Sequence, residues 1–219
     1  TIRKGQLGLL SRQGDYYQVL DAGEHRLPWF NTPDVLVINT DGSEIPEALA
    51  EYLRRFQPAW VEQYCVVADL TDTEAGALYV NGVLQEILPP ASRRLYWRAD
   101  EALTLVRMDT REVQVPTDVM NAVLQPRRSG AVNGREAILT VQVPAWHVGV
   151  LKIDGETQAL LLPGLTAYWK VNHLIEAEVV DTRLQVLEVG GQEILTKDKV
   201  NLRLNLAANW RYGDVLLAF

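Results

Sequence analysis

The sequence predicts a mainly β fold with short helices (α+β), in which three small β-sheet modules follow one another. Three observations predict it. Tight-turn signals separate short apolar runs, the same order of runs and turns recurs three times, and the last stretch alternates apolar and polar residues. Asn-Gly and Asp-Gly between apolar runs favour a hairpin, because a type I′ turn needs positive φ at both central positions.

The recurrence is an internal repeat whose copies begin at Gln6, Ala75 and Val148. Four residues of the first copy recur 68 residues later in the second copy. Gly8 matches Gly76, Gly14 matches Gly82, Trp29 matches Trp97 and Asp41 matches Asp109. The third copy follows the second at an offset of 73 through Gly155, and of 72 from Tyr168 onward. Constant spacing of this kind indicates three diverged copies of one unit.

Each copy reads as a strand, a tight turn, a second strand, an aromatic-marked strand and a long apolar strand. We expect Trp29, Trp97 and Trp169 to fill the cores of their modules at equivalent places. A tryptophan at a non-equivalent place would contradict the repeat. The last strand of copies two and three ends in Asp-Thr-Arg, and we expect Asp109 with Arg111, and Asp181 with Arg183, to make local turn contacts.

The segments between copies set the predicted domains, which are residues 1–66, 67–137 and 138–219. Residues 43–56 have apolar side chains at helical spacing, with Ser43 placed to cap the helix and Pro46 in its first turn. Residues 117–126 predict a short helix stopped by Pro126, and residues 127–136 predict an exposed loop.

The last stretch predicts an antiparallel hairpin. We expect Gly190-Gly191 to form its turn. The strand from Val200 to Tyr212 places apolar residues at even positions and mostly polar residues at odd positions. This alternation predicts that one face of the strand is buried and the other is exposed to solvent.

Composition excludes several classes of function. The formal charge of −7 disfavours nucleic acid and anionic lipid as partners, because both are bound by basic side chains. No apolar run has the roughly 18 residues of a spanning helix, and no signal peptide opens the sequence. The single cysteine, Cys65, lies in an apolar run and is expected to be buried, with a reactive or lipidated thiol as the alternative.

The sequence carries no recognisable catalytic or cofactor motif. His25, His147 and His173 are at non-equivalent positions and have no nearby partner at metal-ligand spacing, so no metal site is predicted. No serine lies in a G-x-S-x-G elbow, and there is neither a P-loop nor a G-x-G-x-x-G motif. Scattered carboxylates leave a glycosidase-like pair open. We therefore predict a protein without enzymatic activity, cofactor or small-molecule substrate.

Residues 148–214 resemble the start of the stomatin/prohibitin/flotillin (SPFH, band-seven) domain, most closely its slipin branch. The resemblance rests on GVLKIDGETQALLLPGLTAYWKV followed by VDTRLQVLEVGGQEILTKDKVNLRLNLAANWRYGD. These contain a Gly-terminated hairpin, a Pro-Gly turn before an aromatic residue, a D-x-R-x-Q run, and T-K-D ahead of a long alternating strand. Copies one and two share these features only through the repeat.

The resemblance implies a bacterial or archaeal, cytosol-facing, non-enzymatic scaffold that forms large homo-oligomers. It also implies peripheral membrane association and partners such as membrane proteases. The hydrophobic anchor and the coiled coil of the family are not found in residues 1–219, and two additional β units precede the resembling segment. We therefore expect the sequence to belong to a longer protein.

Two other functions stay open. A soluble β-repeat adaptor would bind a peptide by strand addition at a sheet edge, and a hydrolase would use scattered carboxylates. Residues 1–219 alone are expected to be monomeric or weakly associated, because they have no sustained heptads and the last strand has a polar outer face. Sheet edges are the alternative route to assembly.

Overall fold

A computed structural model describes residues 1–98, 103–126 and 130–217. The chain divides into two compact units, Thr1–Ala137 and Ile138–Phe219. Both are mainly β, and the strands of each small sheet are antiparallel, as the sequence predicts.

The first unit contains eight described strands and three short α-helices. The strands are β1 (Gln6–Arg12), β2 (Asp15–Leu20), β3 (Asp34–Asn39), β4 (Cys65–Asp69), β5 (Glu74–Val80), β6 (Val83–Leu88), β7 (Arg93–Trp97) and β8 (Leu103–Asp109). The helices are α1 (Glu47–Phe56), α2 (Pro58–Tyr64) and α3 (Thr117–Leu124), and a 3-10 turn covers Arg135–Ala137.

The second unit is built from strands in the part of it that the structure describes. They are β9 (Ile138–Val143), β10 (His147–Ile153), β11 (Glu156–Leu161), β12 (Gly164–Trp169), β13 (Ile175–Asp181), β14 (Gln185–Leu195) and β15 (Asn201–Trp210).

Three sheets have the same strand order, with the first strand of the copy at the centre. Their orders are β2-β1-β3, β6-β5-β8 and β11-β10-β13. Each first hairpin has a register shift at the same place, directly after Leu10, Leu78 and Leu151. These three residues lie at the offsets of 68 and 73 found in the sequence. The strand pairing of the first hairpin and the shift in its register therefore recur at the same offsets as the matched glycines.

The three first hairpins also share one turn geometry. Gln13-Gly14, Asn81-Gly82 and Asp154-Gly155 all have positive φ at both residues. Two consecutive positive φ angles are the requirement of a type I′ turn, whose twist matches that of the flanking strands. The predicted tight turns are thus present at all three positions.

In the second and third copies, a two-stranded ribbon accompanies the three-stranded sheet. β4 pairs with β7, and β9 pairs with β12. The two ribbons have equivalent registers, since Cys65 lies opposite Trp97 in the first and Ile138 lies opposite Trp169 in the second. Trp97 and Trp169, at the ends of β7 and β12, are 4% and 1% exposed, so these two tryptophans are buried as predicted.

Trp29 contradicts the prediction, because it is 93% exposed and lies in no strand. The aromatic segment of the first copy has no ribbon partner among the described residues, apart from a single bridge between Ile2 and Gly23. Pro28 and Pro33 flank the tryptophan and cannot donate backbone hydrogen bonds. Without a partner strand, nothing turns the indole inward.

Helix α1 packs against the sheets of copies one and two, and these elements share one core. Its buried members are Leu9, Ile45, Ala50, Leu53, Cys65, Leu95 and Trp97. The predicted boundary between residues 66 and 67 falls inside β4. Cys65 is 2% exposed, as expected for a small core hydrophobe.

The helix start differs from the prediction. Pro46 is the N-cap residue of α1, and no side chain makes a capping hydrogen bond. Ser43 instead extends the edge of β7, where its carbonyl oxygen accepts the Trp97 N–H at 3.1 Å. The second of the two predicted helices is α3, which ends at Leu124, before Pro126, as predicted.

The predicted loop at residues 127–136 is only partly described, since residues 127–129 lie outside the described chain. Val132 is 3% exposed, so this loop is not wholly solvated. Asn133 anchors it through backbone hydrogen bonds with Gln85 and Ile87 on β6.

The final hairpin departs from the prediction in two ways. Gly190-Gly191 lies inside the 11-residue strand β14, at a bulge opposite β15, and the turn is instead at Thr196–Val200. Gly191 has φ +69, which suits a bulge as well as a turn. The expected buried face is exposed, because β14 and β15 pair only with each other in the described chain.

Candidate interaction surfaces

The Asp-Thr-Arg triplets make the local contacts that the sequence predicts. Arg111 donates to both oxygens of Asp109, with Nη2–Oδ2 at 2.6 Å, and the Asp109 Oδ1 also accepts the Arg111 N–H at 2.9 Å. Arg183 and Asp181 repeat this arrangement. Hydrogen bonding to Arg111 lowers the pKa of Asp109 to about 2, and Arg183 lowers the pKa of Asp181 in the same way.

The threonine of each triplet ties the last strand of its module to the chain before the first strand. The Thr110 hydroxyl and N–H both donate to the Thr73 carbonyl, at 2.9 and 2.8 Å. Thr182 makes the same two hydrogen bonds to the Trp146 carbonyl, at 2.7 and 2.9 Å. The triplet closes the module, and its carboxylate is neutralised by its own arginine.

Each histidine contacts a group of its own unit. His25 contacts the Asp21 carbonyl oxygen at 2.7 Å, and His173 Nδ1 lies 2.7 Å from Asp154 Oδ2. His147 contacts the Ala145 carbonyl oxygen at 2.9 Å. Within the described ranges, no group of three histidine, cysteine or acidic side chains has the geometry to hold a metal ion.

A polar cluster in the first unit joins β6, β7 and the segment before α1. Arg94 lies 2.7 Å from Glu86 Oε1 and 3.4 Å from Glu44 Oε2, and the Tyr96 hydroxyl donates to Glu86 at 3.2 Å. Burial raises the pKa of Tyr96, so its phenol stays neutral. An open cleft of about 560 Å³ adjoins this cluster and includes Asp41 in its wall. Arg94 pairs with both carboxylates and so joins three elements, which favours a structural role over catalysis.

A second ion pair links α1 to β4. Arg54 donates to both carboxylate oxygens of Asp69, at 2.5 and 2.7 Å, and this bonding raises the pKa of Arg54. Sequence reasoning missed both clusters. Their members lie on different elements, and no local spacing marks them before the fold is known.

The hairpin β14–β15 presents a continuous, exposed apolar surface. Residues opposite each other in an antiparallel pair point to the same side. The register therefore gathers one set of apolar residues, here named the apolar hairpin face: Leu187, Val189, Ile194, Leu202, Leu204, Leu206, Ala208 and Trp210. Every one of its β15 members is exposed, Leu206 to 59%.

The opposite side of the hairpin is mainly polar. It carries Glu193 opposite Arg203, together with Asn205, whose Oδ1 accepts the Gly191 N–H at 2.9 Å. Two strands of about 10 residues give the apolar face an area of roughly 34 Å by 10 Å. A patch of this size is at the scale of the largest apolar patches on monomeric proteins, and such patches often bind partners.

A second exposed apolar feature is the aromatic tip formed by Trp29 and Phe30. Their ring centroids are 6.3 Å apart, and Phe30 is 78% exposed. Leu27 packs with Ile2, Leu10 and Leu20, which fixes the base of the tip.

No helix in the described portions of the chain is both long and apolar enough to cross a membrane.

Comparison with known proteins gives one match. Residues 141–219 match the family model described as SPFH domain / Band 7 family. The match covers β10 to β15 and the second half of β9, and so includes the apolar hairpin face. Searches of curated proteins and of solved structures found no match. Most of the C-terminal unit is therefore similar to an SPFH domain, in agreement with the resemblance found in the sequence.

Proposed function

We propose that this protein is a non-enzymatic, membrane-associated scaffold of the stomatin/prohibitin type, slipin-like in its SPFH domain. In this proposal it assembles with copies of itself and organises or regulates partner membrane proteins such as proteases. The match of residues 141–219 to the SPFH domain supports the class of protein. The exposed apolar hairpin face carries the proposal of assembly.

The apolar hairpin face fits a second copy of the chain better than it fits solvent. It lies on a sheet of two strands, and stable interfaces are apolar at their centres. Its area of roughly 340 Å² is less than half of the roughly 800 Å² per partner in a standard interface. We therefore expect this contact alone to give weak, concentration-dependent association, which further contacts in the intact protein would strengthen.

The first two modules, at about residues 1–66 and 67–137, are proposed to be diverged copies of the module that opens the SPFH-type domain at 138–219. The common strand order and the common position of the register shift support this assignment. Each Asp-Thr-Arg triplet would then be a module-closing device. The two extra modules would enlarge the surface on which the scaffold holds partners.

Membrane association is proposed to be peripheral and on the cytoplasmic side. The SPFH match supports it, and the ion pair between Arg94 and Glu86 joins neighbouring strands of the first unit, which favours a scaffold over an enzyme. Neither a cofactor nor a metal is required for this function.

The test is a joint measurement of assembly and membrane binding on the intact protein. Light scattering should give a mass well above that of one chain, and flotation with phosphatidylcholine–phosphatidylethanolamine vesicles should carry protein to the lipid fraction. A protein that remains a single chain and stays at the bottom of the gradient would contradict the proposal.

The alternative is a soluble adaptor that binds a peptide by adding it to a sheet edge. Residues 24–28 favour it, because they belong to no strand in the described structure. Monomeric protein that binds an extended peptide, and that shows no lipid binding, would favour this alternative.

A further inference from the structure

The outer edge of β6 is covered within the second module. Residues 131–134, here named the strap, lie along this edge and pair with it in the parallel direction through one bridge at Asn133. The Asn133 carbonyl oxygen accepts the Ile87 N–H at 2.8 Å, and the Asn133 N–H donates to the Gln85 carbonyl oxygen at 3.2 Å. Although β6 is the outermost strand of its three-stranded sheet, it is therefore not a free edge.

The fit of the strap on β6 restricts two of its side chains. Val132 is 3% exposed, and Ile87, with which the strap pairs, is 1% exposed. Gly134 has φ +74, and a Cβ atom added there would overlap the Ile87 carbonyl oxygen. A strand held in this way therefore needs a small apolar residue and, two positions later, a glycine.

The third module has the same edge without a strap. β11 is the outermost strand of its sheet, and its register on β10 shifts at the same place, so Leu160 corresponds to Ile87 and Gln158 to Gln85. Apart from the bonds of the sheet itself, no backbone hydrogen bond of the described residues reaches the Leu160 N–H or the Gln158 carbonyl oxygen. Leu160 is 39% exposed, whereas Ile87 is buried.

The stretch of chain that forms the strap has a different use in the third module. Asp181 follows Asp109 at an offset of 72, and the same offset carries residues 131–134 onto residues 203–206. These lie in β15, which pairs with β14. The third module therefore forms a hairpin strand from the equivalent stretch, and the edge of β11 stays open among the described residues.

We propose that the outer edge of β11, at residues 158–160, binds one short parallel strand of another protein in the register that the strap takes on β6. The strand accepts the Leu160 N–H, donates to the Gln158 carbonyl oxygen, and covers Leu160 with a small β-branched side chain. A glycine follows two positions later. In strand addition the main chain supplies affinity and alternate side chains supply selectivity. The strand comes from another protein, because the strap of this chain is held on its own β6.

The inference specifies how the proposed scaffold holds a partner, and so it rests on the proposed function. The edge lies in the part of the chain that matches the SPFH family model, at residues 141–219. Its test is nevertheless independent of assembly and of lipid binding, which are measured separately by light scattering and flotation. A scaffold that assembles and binds lipid but leaves this edge empty would refute the inference alone.

The probe is a synthetic peptide with the sequence of residues 130–137, added to the intact protein. Mass spectrometry with fragmentation to single residues measures amide hydrogen exchange. At saturation, exchange of the Leu160 amide should slow by about tenfold or more, because local protection follows hydrogen bonding. The Ile87 amide should not respond, since the strap already protects it. A control peptide with Gly134→Ala should leave both amides unchanged, because its Cβ would meet the carbonyl oxygen of β11.

Variants of the chain sharpen the test, with affinity measured by the anisotropy of a fluorescein-labelled peptide. Leu160→Pro removes the N–H donor at an edge position, where proline is tolerated. Leu160→Asp places a charge under the incoming side chain. Each should weaken binding by about tenfold, the effect of losing roughly 1.4 kcal/mol. Val179→Asp, on β13 and on the other face of the sheet, should bind as the wild type does.

Four results would overturn the proposal. Millimolar peptide may leave the Leu160 amide unchanged, the Gly134→Ala peptide may bind equally well, or the peptide may act at Ile87 by replacing the strap. The fourth is a Leu160 amide that is already protected without peptide, since the place is then filled by the chain itself or by a second copy.

Discussion

Gly149→Ala is the substitution that tests the packing of the repeated module most sharply. Gly149 lies in β10, and an added Cβ would be 2.9 Å from Leu161 Cβ and 3.0 Å from Val143 Cγ2. Leu161 Cβ is fixed to the backbone of β11, so the clash cannot be relieved by a side-chain rotation alone. The strand must shift.

The size of the effect follows from two opposing contributions. Overpacking a well-filled site costs about 1–3 kcal/mol, and replacing glycine by alanine returns roughly 0.4–1 kcal/mol through the unfolded state. We therefore expect the free energy of unfolding to fall by about 1–2 kcal/mol. In a unit of this size, that corresponds to a decrease in Tm of roughly 4–16 °C.

Thermal and denaturant unfolding, followed by near-ultraviolet circular dichroism, measure this change. Gly213→Ala is the matched control, because no atom lies within 4 Å of its added Cβ. Gly8→Ala should cost less than Gly149→Ala, since the nearest atom is the flexible end of Ile2 at 2.8 Å. If Gly149→Ala proves as stable as Gly213→Ala, the proposed close packing of the partner strand on the central glycine is refuted.

Three other predictions concern single groups. Burial raises the pKa of the Cys65 thiol to about 11, so Ellman's reagent at pH 8 should react only after unfolding; fast reaction in the native state would contradict this burial. In Arg111→Ala, the pKa of Asp109 should return from about 2 toward the ordinary value near 4, as followed by NMR titration. The depressed pKa means that this pairing stabilises the fold above pH 4 and is lost as the pH falls through about 2. Asp69→Ala should destabilise the protein more than Arg54→Met in urea unfolding, by about 1–3 kcal/mol, because only the first removes the bidentate partner of a mostly buried guanidinium and leaves that charge in place; equal losses would argue against this account.

Local signals predicted the hairpins of the fold well. Asn81-Gly82 and Asp154-Gly155 determine their own turns through positive φ, so the sequence alone locates the strands on either side. The Asp-Thr-Arg contacts are equally local, since Asp109 and Arg111 are two residues apart.

Features that depend on distant partners could not be predicted in this way. Trp29 matches Trp97 in sequence, but its burial requires a partner strand that the described first module lacks. Gly190-Gly191 suits a turn and a bulge equally, and pairing along the whole of β14 and β15 selects the bulge. The alternation in β15 correctly separates an apolar side from a polar side. Alternation cannot tell whether anything covers the apolar side.

The exposed apolar side of this hairpin also narrows the expected association state of residues 1–219. The prediction of a monomeric or weakly associated chain assumed that the apolar side was buried and only a polar side faced outward. The structure removes that premise, because Leu202, Leu204 and Leu206 are all exposed. Weak association through this face is now the expectation.

The central claim, that the apolar hairpin face brings copies of the chain together, is tested most directly by light scattering over a range of concentrations. The wild-type mass should rise above the 24.6 kDa of one chain as concentration increases. Leu204→Asp, on the apolar face, should remain at the mass of one chain. Asn205→Asp adds the same charge on the opposite face and should behave as the wild type. A wild-type mass that never rises, or two variants that behave alike, would contradict the account.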